Sequence, residues 1–179
     1  LMEDINQPLG FTNMVSNSAR EERRNIITFG QPSINGTRGS AFNGTTRITG
    51  FTISGRGVDT TNGNITLRVS TNPKYRDMAP DTFTAAMADS TDFTTLEQRT
   101  DGTYAIPASV DASHISAFTV LIGTLPAGSR LDLTYRFDTD GNQPSDLYVN
   151  QWSDGDNTVN ALSTIVAREV NGGLWEDSN

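Results

Sequence analysis

The chain has 179 residues, a formal net charge of −8 and a pI near 4.5, with 35% hydrophobic and 19% charged residues. That length supports one domain with a sizeable core, and the acidic balance argues against duplex nucleic acid, whose phosphates need a basic face. Cysteine is absent, which excludes a disulfide scaffold, a thiol nucleophile and a Cys-ligated zinc site. No apolar run approaches the ~20 residues of a membrane-spanning helix.

Residues 1–25 read as a linker or entry segment. Met14 to Arg24 is dense in charge and has the makings of a short helix, capped by Ser16 or Asn17. From Asn25 the punctuation turns β-like. Asn25 to Phe29 is a β-branched run. Arg47 to Ser54 alternates, with Ile48, Phe51 and Ile53 expected inside, and its slip at Gly50 marks a bulge or a close backbone approach. Asn62-Gly63 is a turn signal. After it, Asn64 to Ser70 sets Ile65, Leu67 and Val69 on one face.

Asn72 to Thr91 is irregular, broken by Pro73 and Pro80, with a helical turn expected over Phe83 to Met87. Phe93–Gln98 and Gly102–Ile106 suggest a hairpin around Asp101-Gly102. Ile115 to Ile122 is a strand with Phe118, Val120 and Ile122 on one face. Leu125-Pro126-Ala127-Gly128 turns the chain, and Arg130 to Phe137 alternates again with Leu131, Leu133, Tyr135 and Phe137 inward. Leu147–Gln151 and Ser163–Val170 complete eight or nine short strands. With no helix of ordinary length after residue 25, the pattern predicts an all-β antiparallel sandwich, Ig-like or jelly-roll-like, over residues 26–170.

Two segments carry a resemblance. Gly173, Leu174, Trp175, Glu176, Asp177 and Asn179 follow the order that opens a B-type repeat, so residues 171–179 resemble the start of such a repeat. B-type repeats belong to Gram-positive, staphylococcal-type, wall-anchored surface adhesins. Ile115 to Asn157, with Gly123-Thr124-Leu125-Pro126-Ala127-Gly128 and Asn150-Gln151-Trp152-Ser153-Asp154-Gly155-Asp156, is similar in rhythm to the closing half of their Ig-like modules. The resemblance implies an Ig-like module preceding B-type repeats, excised from a longer secreted protein whose signal and wall anchor lie elsewhere. It implies adhesion to an extracellular protein or glycan. The alternatives are a structural spacer that projects other modules, and a carbohydrate-binding domain. Asp177 and Asn179 match the first ligands of the B-repeat calcium loop.

The residues themselves offer little catalytic chemistry. His114 is the one histidine, flanked by Asp111, Ser113 and Ser116, and such close neighbours rarely form a triad. Most aspartates sit in turn contexts such as Asp101-Gly102, where they cap backbone. A Lys–Asn isopeptide bond would need Lys74, the sole lysine, which follows Pro73 in a loop. Asp138, Asp140, Asn142 and Asp146 have the alternating oxygen spacing of a calcium loop, without the glycine position or closing glutamate of an EF-hand. Asp154-Gly155-Asp156-Asn157 is a second acidic loop. Tyr148 and Trp152 are candidates for stacking on a sugar ring, against their ordinary role in core packing. Calcium is the one candidate cofactor, and no membrane insertion or nucleic-acid partner is expected.

Overall fold

The computed structural model describes residues 9–156 and 158–164. They form a β-sandwich of two antiparallel sheets. In chain order the strands are β1 (Leu9–Ser16), β2 (Arg23–Ile27), β3 (Phe29–Gln31), β4 (Thr45–Arg56), β5 (Ile65–Ser70), β6 (Phe93–Thr95), β7 (Thr103–Tyr104), β8 (Ala117–Leu125), β9 (Arg130–Asp140), β10 (Leu147–Ser153) and β11 (Thr158–Thr164). A four-stranded sheet runs β1-β9-β4-β7. A seven-stranded sheet runs β11-β10-β3-β8-β5-β6, with β2 also pairing β8. The expected eight or nine strands become eleven because several are only two or three residues long. The resembling residues 171–179 lie outside the described residues.

The expected N-terminal linker is corrected by the structure. Residues 9–16 alternate cleanly between buried and exposed, and pair along their length with β9, from Leu9 opposite Phe137 to Ser16 opposite Arg130. Leu9, Phe11 and Val15 face the core, and a helix there would scatter them around its circumference. Asn13 interrupts the apolar pattern, yet it too points inward, where its Oδ1 accepts from Asn150 Nδ2 at 2.7 Å. The expected helix cap Asn17 instead organises the crossing from one sheet to the other. Its side-chain amide donates to the carbonyls of Glu21 (2.8 Å) and Leu125 (2.9 Å).

The main core lies between the sheets. Phe51, Phe118, Tyr135 and Phe137 meet there with Leu67, Val120, Leu131 and Leu133, all buried. Neighbouring rings stack or tilt at 5–6 Å, as Phe118 does on Tyr135 (5.2 Å). Two buried polar groups in this layer are bonded across it. Tyr135 Oη donates to Asn150 Oδ1 at 2.6 Å, and Trp152 Nε1 donates to the Met14 carbonyl at 2.9 Å. Gly30 faces inward under the Phe118 ring, which a Cβ would meet at 2.1 Å. No other residue fits there. The expected bulge is present, as a register shift between Ile48 and Gly50 against β9.

Of the expected Phe93–Ile106 hairpin only the turn at Asp101-Gly102 forms, closed by the Arg99 N–H donating to the Thr103 carbonyl at 2.8 Å. β6 pairs β5 in the larger sheet, while β7 pairs β4 in the smaller one. A single bridge, Gln98 to Tyr104, survives at the turn between them. The segment buries Phe93 in a second, smaller cluster on the outer face of the larger sheet, and Leu96 and Tyr104 in the main core, so its two halves serve different sheets.

Candidate functional site

The outer faces of the two sheets differ. The four-stranded sheet presents polar side chains, such as Thr12 and Thr134, whose hydroxyls meet at 2.9 Å. The seven-stranded sheet presents Ile27, Phe29, Gln31, Leu121 and Ala117, and residues 72–92 fold over part of it as a cap. The cap comprises two single-turn 3-10 segments, Pro73–Tyr75 and Pro80–Thr82, and a one-turn helix, α1 (Ala85–Ala88). Thr84 caps α1 through its hydroxyl, which accepts from the Met87 N–H at 3.2 Å. Beneath the cap a second, smaller core joins Phe29, Tyr75, Phe93 and Ala117, with Met78, Phe83 and Met87 at its margin. Phe83 stacks on Phe29 at 4.2 Å.

Three polar clamps fix the cap in place. The buried Gln31 amide donates to the carbonyls of Tyr75 (2.8 Å) and Met78 (2.9 Å), and its oxygen accepts from Gln151 Nε2 at 2.6 Å. Arg68 leans out from β5 and donates to the carbonyls of Ala88, Ser90 and Phe93. Asp92 accepts from Tyr75 Oη at 2.7 Å and Asn72 Nδ2 at 3.2 Å, and pairs with Lys74 at 2.8 Å. These hydrogen bonds, the Lys74 ammonium first, hold the Asp92 carboxyl down at about 2. Burial pushes the Tyr75 phenol up.

Where the cap stops short of β2, a groove of about 560 Å³ remains. Ile27, Phe29 and Phe83 supply its apolar surface, and Arg23, Asp81 and Asp156 stand along its polar walls. Arg23 is held in position by an ion pair with Asp156 (3.0 Å) and bonds to the carbonyls of Ser16 (3.2 Å) and Asp154 (3.4 Å). On the other flank of Ile27 a second depression of about 340 Å³ runs between α1 and Thr66 and Leu121, lined without a charged side chain.

β2 also has backbone groups that β8 does not pair. Thr28 N donates to the Val120 carbonyl, so alternate residues of β2 bond β8 and the others, Asn25 and Ile27, turn their peptide groups away. On that side they have no backbone hydrogen bond to a described residue. Asn25 takes a positive φ of 53° there, a conformation that asparagine tolerates better than most residues. The groove therefore combines an apolar surface and fixed charges with main-chain groups of β2 that have no backbone partner among the described residues, the Gly155 backbone lying close to the Ile27 carbonyl.

The sequence-predicted site residues lie elsewhere. Tyr148 and Trp152 are both inside the main core, at 0% and 4% exposure. Tyr148 stacks on Phe42 at 4.6 Å and Trp152 on Phe118 at 6.1 Å, so neither ring is open to a sugar. Burial, then the nearby Asp146 charge, pushes the Tyr148 phenol up to about 12. Asp138 and Asp140 are exposed along β9, whereas Asp146 is buried and already in use. One of its oxygens accepts from Asn43 N (3.1 Å) and Nδ2 (2.9 Å), and the other from Gln143 N (2.7 Å). The Asn142 side chain is buried with no hydrogen-bond partner among the described residues. Among the described residues no three His, Asp or Glu side chains converge as a metal site. The expected calcium loop is thus a braced turn.

The second acidic loop is likewise committed, Asp156 to Arg23 and Asp154 Oδ1 to the Asp156 N–H at 2.9 Å. His114 is exposed and bonds Asp111 at 2.8 Å, while the other Asp111 oxygen accepts from the Ser113 N–H. That arrangement closes a local turn. Lys74 is half exposed on Asp92. The groove residues carried little sequence signal, since Arg23, Ile27 and Phe83 come from segments read as linker, strand and irregular loop. Comparison with protein-family models and with curated proteins finds no match to the chain.

Proposed function

We propose that this chain is a non-enzymatic adhesion module of a bacterial cell-surface protein, exported and held at the cell wall by segments other than those described. The groove beside β2 receives an extended stretch of an extracellular protein. The observation that carries this reading is the pairing of an apolar trough with main-chain groups on the same strand that have no backbone partner among the described residues. An extended peptide laid along β2 pairs its backbone with Asn25 and Ile27 and sets alternate side chains against Ile27 and Phe83. A spacer has no use for such a trough. Sugar binding is disfavoured by the burial of Tyr148 and Trp152. The resemblance of Gly173 to Asn179 to the opening of a B-type repeat supports the cell-surface setting.

The test is a binding screen of the folded domain against immobilised extracellular-matrix proteins and a glycan array. Saturable binding to a protein that is lost in Ile27→Arg, at unchanged melting temperature, is the expected result. A blank from a well-folded sample would assign the module to spacing, and a glycan hit would move the function to carbohydrate binding.

A further inference from the structure

We infer that one end of the sandwich holds a second, separate binding site, a pocket that takes a single neutral aromatic ring. It opens between the two sheets, where the loop after β3 meets the loop before β8, and its volume is about 220 Å³. Phe42, Ile48 and Ile115 form its walls, and Tyr135 and Phe137 extend the lining into the core. The pocket stays open for a local reason. At the bulge the start of β4 swings toward the 112–115 loop, where the Ile48 N–H donates to the Ala112 carbonyl at 3.0 Å. The lining there includes the short side chains of Ser33, Thr46 and Ala112.

Size and polarity select the occupant. An apolar cavity of about 150 Å³ is enough to bind benzene, so this one admits a ring, whereas drug-sized ligands need roughly 300 Å³ or more. Its lining includes no Asp, Glu, Lys or Arg, and its one histidine, His114, is engaged by Asp111 at 2.8 Å. The polar atoms at its depth are already satisfied, Tyr135 Oη by Asn150 and Ser33 Oγ by Ser40 at 2.8 Å. A pyranose would have to shed water from hydroxyls all round its ring, and the Phe42, Ile48, Ile115 and Phe137 side chains replace none of those bonds. A phenyl or phenol ring loses no such bonds, and the Asn35 side chain at the mouth leaves its amide NH2 free of any described partner for a phenolic oxygen, its own oxygen being held by the Phe42 N–H at 2.9 Å. The ring arrives as a small aromatic molecule or as a side chain of a partner protein.

The experiment titrates p-cresol, N-acetyltyrosinamide and glucose into the isotope-labelled chain and follows methyl and amide resonances. Saturable shifts confined to Ile48, Ile115 and Phe42 with p-cresol are expected, and none with glucose. N-acetyltyrosinamide binding as well identifies a protein side chain as an occupant, and its failure beside a p-cresol response identifies a small molecule. Thr46→Phe places a ring of the chain's own in the pocket and should weaken p-cresol by about tenfold or more, the loss of a modest contact energy. Should that variant misfold, Ile48→Ala enlarges the site and should admit indole. Absence of saturable shifts, shifts elsewhere, tighter binding of glucose, or unaltered p-cresol binding in a folded Thr46→Phe would overturn the assignment. None of these readouts involves the groove at β2, so the two sites stand or fall independently.

Discussion

The two sheets solve the same burial problem differently. In the four-stranded sheet, β1 and β9 alternate buried and exposed residues almost without exception, so one face is core and the other meets water. In the seven-stranded sheet, β3 is buried at every position and β10 at five in succession, because residues 72–92 and neighbouring loops cover its outer face. A sheet solvated on one side needs only polar side chains there. A sheet covered on both sides must stop somewhere, and where the cover ends an apolar margin remains. That margin, at Ile27, Phe29 and Phe83, is the proposed binding groove. The proposed function rests on incomplete coverage of one sheet.

Substitutions can break this comparison at several strengths. Removal of residues 1–16 deletes β1 with its buried Leu9, Phe11 and Val15 and bares Trp152. At roughly 1.5–3 kcal/mol per buried apolar side chain, the loss approaches the whole stability of a small domain. Far-UV circular dichroism should show an unfolded chain, and a cooperative native-like melt would refute the inclusion of β1. Between the sheets, Tyr135→Ala should cost about 3–5 kcal/mol in denaturant unfolding. On the outer face, Phe83→Ala removes a half-buried ring and should cost about 1–2 kcal/mol. A larger loss at Phe83 than at Tyr135 would reverse the ranking of the two cores.

The cap should also respond to acid. The folded-state pKa of Asp92 is held down at about 2, below the ordinary aspartate range. Its contribution is therefore complete above the unfolded pKa and is lost as pH falls through the folded one. Hydrogen exchange at Tyr75 and Arg76 should accelerate between about pH 4 and 2 while β9 stays protected, and Asp92→Asn should remove that pH dependence. Uniform acceleration across both sheets would show that the cap is no separate unit. The smallest effect belongs to the open face of the four-stranded sheet, where Thr134→Arg should change stability by less than about 0.5 kcal/mol.

Legibility in the sequence follows the same division. Ile48, Phe51, Ile53, Leu131, Leu133, Tyr135 and Phe137 were readable as inward because their strands keep a period of two. β1 was obscured by one residue, Asn13, which is buried as a hydrogen-bond partner, and by the nearby charges of Arg20 to Arg24. β2 and β3 had no alternation to display. The hairpin expected at Asp101-Gly102 goes little further than its turn because turn chemistry is local, whereas the choice of sheet depends on where Phe93 and Tyr104 find a core. The groove was invisible because it is made by the meeting of three distant segments. Tyr148 and Trp152 were aromatic signals of packing, and the Asp138–Asp146 signal was one of turn bracing.

The most direct test sets the two outer faces against each other. Ile27→Arg and Thr134→Arg place the same charge on the seven-stranded and the four-stranded sheet, and each is compared with the unaltered domain for saturable binding to an extracellular-matrix protein retained in the screen. Loss of binding in Ile27→Arg with full binding in Thr134→Arg, both melting like the parent, is the predicted result. Retained binding in Ile27→Arg, or loss in Thr134→Arg alone, would contradict a binding face on the seven-stranded sheet.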